Sequence, residues 1–173
     1  MQDREELREQ LAGPVRTTQI LVGALIAGVV IFTLLMVVLR LTDDAAVVAD
    51  TPFVSFVGAG LAGMALIARP FLGLIGTVSD DADAGLADAP ADGVDPAIGR
   101  EAGNWTTATI VRNAILEGPA LINVIAYFIE GYWWSLAIVA VLVAWMIGGF
   151  PTFEQLMQRI EERQGGITPE PDL

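Results

Sequence analysis

Residues 105–131 read WTTATIVRNAILEGPALINVIAYFIEG. A helix needs ~20 predominantly apolar residues to cross a bilayer, and this stretch has them, yet it carries Arg112, Asn113, Glu117 and Asn123 within the crossing. At about 1.5 Å per residue, Glu117 sits roughly 18 Å along the axis from Trp105 and roughly 20 Å from Glu130. Trp105 and the Tyr132-Trp133-Trp134 cluster are residue types that anchor at headgroup level. Taken as the two surfaces, they put Glu117 near the midplane of a hydrocarbon core ~30 Å thick. A central charge costs about 2.5–3.5 kcal/mol on insertion scales and normally faces a bundle interior or a partner. At about 100° per residue, every strongly polar side chain of the segment falls within about 140° of the circumference. Val111, Ile115, Leu121, Ile122, Ile125 and Ile129 fill the remaining arc. Pro119 removes one backbone donor, which predicts a mild kink beside Glu117. The helix is sided, and its polar side requires a neighbour.

Working outward, the apolar residues lie in long blocks, the pattern of a helical membrane protein. The chain has 173 residues, of which 54% are hydrophobic, with formal net charge −12 and mean hydropathy +0.58. It contains neither Cys nor His. That leaves no disulfide framework and removes the usual zinc, haem and His-based acid–base sites; no cofactor and no metal are expected. All nine cations are Arg, without one Lys, and the excess of acid argues against a nucleic-acid surface. The profile fits either a GC-rich genome with acidic loops or adaptation to high salt.

The expected fold is all-α, a polytopic membrane protein of four transmembrane helices in two hairpins with short amphipathic helices at both termini. Residues 1–17 read as a surface helix stopped by Gly13-Pro14. The first span, 18–41, is almost wholly aliphatic and has an anchoring character. The second, 53–76, carries Ser55, Ala59 and Gly63 at intervals of four, a small-residue row that lets helices approach closely. Residues 78–104 are rich in Asp, Ala, Gly and Pro and read as a flexible acidic loop. They lack the twelve-residue calcium pattern. The third span is 105–130, and the fourth, 132–150, follows after Gly131 alone. Residues 152–164 read as an amphipathic helix, lying on the bilayer or docked on a partner, and 165–173 as a tail. Arg is concentrated in both terminal flanks, which places both termini and the acidic loop on the cytoplasmic side of a prokaryotic cytoplasmic membrane.

Gly58-Ala59-Gly60-Leu61-Ala62-Gly63, then Arg69-Pro70, then Glu117 among Ala114, Gly118 and Ala120 weakly resemble the proteolipid c subunit of rotary ATPases. In that family the matching carboxylate binds and releases the transported ion, so the resemblance implies an ion-carrying role for Glu117. It covers residues 53–130. The 27-residue acidic insertion, the first and fourth spans, and Arg112 and Pro119 depart from the pattern.

The residues taken alone favour a non-catalytic membrane subunit. Its polar helix would pack against copies of itself or against another membrane protein within the lipid bilayer. A proton- or ion-translocating element using Glu117 is the alternative. No nucleophile motif or paired carboxylates point to an enzyme. Arg69 and Arg112 each lie roughly 10 Å inside the cytoplasmic boundary. Arg69 is the expected partner of Glu117, directly or through Asn113, and Asn123 continues the polar face.

Overall fold

The computed structural model describes residues 4–43, 48–75 and 96–158. Four helices account for most of them: α1 (Arg4–Thr42), α2 (Phe53–Ile75), α3 (Pro96–Glu130) and α4 (Trp133–Gly148). A short helical stretch, α5, covers 153–158. There is no strand among the described residues. Two segments are long and apolar enough to cross a membrane, Leu11–Thr42 on α1 and Ala102–Glu130 on α3. The described apolar parts of α2 and α4 are shorter, Phe53–Ala68 and Trp133–Gly148.

Hydrogen bonds fix the directions. The Thr18 and Thr106 hydroxyls bond at 3.0 Å, and Arg40 donates to the Phe128 carbonyl; both pairs are 88 residues apart, so α1 and α3 run parallel in constant register. Glu130 meets the first turn of α2, and Gly131 reverses the chain into α4, so α2 and α4 run the other way. Gly131 has φ +81°, a left-handed turn that glycine adopts without steric cost. The bundle is centred on α3, which packs against α1, α2 and α4 alike. Leu116, Ala120 and Val124 of α3 meet Val29 of α1, Ala62 and Ala65 of α2, and Val139, Leu142 and Met146 of α4 in one apolar core.

Large apolar side chains also face outward on all four helices, Ile31, Leu34, Phe56, Ile67, Ile129 and Ile147 among them. On α1 this belt runs from Ile20 to Leu41, a rise of about 31 Å and hence one hydrocarbon thickness. In the α1–α3 register, the same belt on α3 covers 108–129.

Several expected boundaries are corrected. Gly13-Pro14 does not end a surface helix, because α1 continues through Pro14. Likewise, residues 96–104, expected as loop, are the start of α3. Both extensions are held by a second, smaller core in which Leu11, Val15, Ala102, Trp105 and Leu156 are buried, with Phe153 and Met157 beside them. Burial there outweighs the weak helix-forming composition. Trp105 is 5% exposed in this core and is therefore not an interfacial anchor. The apolar side of α5 packs inside the chain as well, on α1 and α3, rather than on the bilayer or a partner. Most of the expected acidic loop, the remainder of the C-terminal amphipathic helix and the tail lie outside the described residues.

Candidate functional site

Among the described residues six polar side chains are buried in the bundle: Thr18, Ser55, Asn113, Asn123, Glu130 and Ser135. Three of them make one cluster where α2, α3 and α4 meet. α2 begins without an acidic residue in its first turn, and a helix start leaves four N–H groups without helical acceptors. Glu130, the last residue of α3, supplies the acceptors from outside. Its carboxylate takes the Val54 N–H at 2.5 Å, the Ser55 N–H at 2.9 Å and the Ser55 hydroxyl at 2.5 Å. The Ser135 hydroxyl of α4 bonds to that of Ser55 at 2.9 Å. A negative group at a helix N-terminus also meets the positive end of the helix dipole. Around this cap, the Glu130 carbonyl accepts from the Ala49 N–H at 2.9 Å, and the Tyr132 hydroxyl donates to the Ala49 carbonyl at 2.6 Å. Arg40 lies over the Tyr127 ring, 5.6 Å from its centre. The ends of all four helices are thus tied together.

The two asparagines occupy the face of α3 that meets the other helices. Asn113 donates to the Thr109 carbonyl and Asn123 to the Pro119 carbonyl, each at 2.8 Å and each one turn back on α3. Their Oδ1 atoms are buried without a hydrogen-bond partner. Asn123 lies against Gly58, where an added Cβ would come within 2.9 Å of the amide. The close approach of α2 to α3 therefore passes through Gly58, with Ser55, Ala62 and Ala65 buried on the same side. Of the expected row, Ser55 is buried and Ala59 half-buried, while a Cβ on Gly63 would meet nothing within 4 Å. Within the chain, the contact is displaced from Ala59 and Gly63 to Gly58 and Ala62.

Glu117 and Arg112 flank the buried stripe of α3 on its two edges, and both are half-buried. In the belt on α3, Glu117 is about 14 Å from one edge and about 18 Å from the other, and Arg112 is about 6 Å inside the first. Among the described residues Glu117 has neither an ion-pair nor a hydrogen-bond partner, and the Arg69 side chain lies outside them. The carboxylate with partners is Glu130. Its signal in the sequence was an acid directly before a glycine turn, with Ser55 in the first turn of a neighbouring span. Ser135 carried no signal. No three His, Cys, Asp or Glu side chains come together as a metal site among the described residues. No family model, curated protein or solved structure matches the chain.

Proposed function

We propose that the chain is a non-catalytic integral membrane subunit that assembles with copies of itself through the outer face of α3. The four helices would all span, with both termini cytoplasmic, since α2 and α4 run beside the two long apolar helices in the opposite direction. One observation carries this reading: Glu117 lies at mid-belt with no partner among the described residues, where a lone carboxylate is costly and calls for one. Beside it, Val111, Ala114, Gly118 and Ile125 are exposed on the same helix. Ala114 and Gly118, one turn apart, leave room for a second helix at short distance. Asn113 and Asn123, by contrast, are buried inside the chain.

The same geometry supports a second reading, a proton- or ion-carrying Glu117, in keeping with the resemblance of α2 and α3 to the c-subunit hairpin. One experiment separates the two. The full chain is reconstituted in nanodiscs or mild detergent, and its mass is measured by light scattering alongside a proton-flux assay in liposomes. Assembly predicts an oligomer for the native chain and a monomer for Glu117→Gln. A native monomer, or an oligomer unchanged by the substitution, overturns it. Loss of flux with the oligomer intact supports the carrier.

A further inference from the structure

At the end of the bundle opposite Glu130, α3, α5 and Gly149, just past α4, line a cleft of about 320 Å³. Its walls carry Arg112 and Thr109 of α3, Gln155 and Gln158 of α5, and Trp105, with Gly149 at its rim. Arg112 makes no ion pair or hydrogen bond among the described residues. Gly149 is also the end of a second depression of about 460 Å³, on the outer face of α4, formed with Val141, Ala144, Trp145 and Gly148. The first depression is lined by hydrogen-bonding groups, the second mainly by apolar ones, and they adjoin.

Their level in the molecule matters. The outward apolar belt begins at Ile20 on α1, in register with residue 108 of α3. The cleft therefore opens at the boundary between the belt and the polar end, and Arg112 reaches it from about 6 Å inside. From Gly149 the apolar depression descends along α4 for eight residues, about 12 Å into the belt.

We infer that the two depressions form one binding site for an anionic phospholipid, with the phosphate in the Arg112 cleft and an acyl chain along α4. A guanidinium presents several N–H donors in a planar fork that matches two phosphate oxygens. The Thr109 hydroxyl and the amide side chain of Gln155 supply neutral donors around it. Val141, Ala144 and Trp145 give the chain an apolar wall beginning where the headgroup ends. A free phosphate would engage the cleft alone; the adjoining groove is what selects a lipid. The site stands apart from the outer face of α3 and does not depend on the assembly reading.

Native mass spectrometry of the full chain, released from nanodiscs of equal phosphatidylglycerol and phosphatidylcholine, tests this. The expected result is one retained phosphatidylglycerol, with phosphatidylcholine retained about tenfold less. Arg112→Gln should lower retention about tenfold, the loss of one charge-assisted contact. Arg16→Gln, an exposed arginine outside the cleft, should leave it unchanged. Ala144→Trp, which fills the groove without touching the cleft, should weaken lipid retention. Equal retention of the two lipids overturns the proposal, as does indifference to both Arg112→Gln and Ala144→Trp. Displacement of the lipid by millimolar inorganic phosphate, with Ala144→Trp silent, would mark the cleft as a site for a free anion instead. Should Arg112→Gln fail to fold by circular dichroism, Gln155→Leu and Ala144→Trp carry the decision.

Discussion

α3 carries two carboxylates within its apolar length, thirteen residues apart, and the chain treats them oppositely. Glu130 is 3% exposed and accepts three hydrogen bonds from the start of α2. Glu117 is half-buried and has no such donor among the described residues. What separates them is the neighbour. Glu130 ends its helix where another helix begins, and a helix start has unpaired N–H groups to offer. Glu117 sits mid-helix among helices whose own N–H groups are already paired, so only side chains could satisfy it. The first carboxylate is a fastening of the fold, and the second has no partner among the described residues.

The largest expected effect falls on the fastened side. Glu130→Ala removes the acceptor of three bonds and leaves the Val54 and Ser55 N–H groups without protein partners. The cost to the chain's own stability is on the order of 3 kcal/mol, read as a lower thermal unfolding midpoint in detergent. If the midpoint did not move, the cap would contribute nothing and the contrast with Glu117 would collapse.

The contact between α2 and α3 carries an effect of intermediate size. Gly58→Ala forces the Asn123 amide to move, since the new Cβ would lie 2.9 Å from it. Overpacking costs about 1–3 kcal/mol, against a gain of about 1 kcal/mol from replacing glycine in a helix. The net effect should destabilise the native chain. In an Asn123→Ala background the clash is gone, and the same substitution should stabilise. A double-mutant cycle by thermal unfolding reads the sign, and stabilisation in both backgrounds would show that Gly58 is not the point of close approach.

The smallest expected effect on the single chain is that of Glu117→Gln. With no partner to lose among the described residues, the unfolding midpoint of the isolated chain should change by no more than about 0.5 kcal/mol equivalent. A large loss of monomer stability would mean that Glu117 is held inside the chain after all, and that α3 has two fastened carboxylates.

Much of this architecture was legible in the order of residues. The apolar runs of α1 and α3 stand out because a membrane-length helix needs an unbroken stretch of them. The turn at Gly131 followed from spacing alone. Trp105 was misleading for a physical reason: tryptophan suits a headgroup layer and a small core equally, and the presence of Leu11, Val15 and Leu156 beside it decides between them. Pro14 and the segment 96–104 misled similarly, since local propensity is weak against burial of a shared apolar face.

What composition and periodicity established is an all-helical chain with two helices long and apolar enough to cross a membrane, and the places where polarity interrupts them, because the apolar character of each side chain is a local property. Which of those polar groups is satisfied was decided only by the packing. Glu130 accepts from the start of α2 across 75 positions of sequence, whereas the Asn123 Oδ1, packed against Gly58, is left without a partner among the described residues. A hydrogen bond depends on ångström placement of donor and acceptor, and that placement comes from how the helices lie against α3.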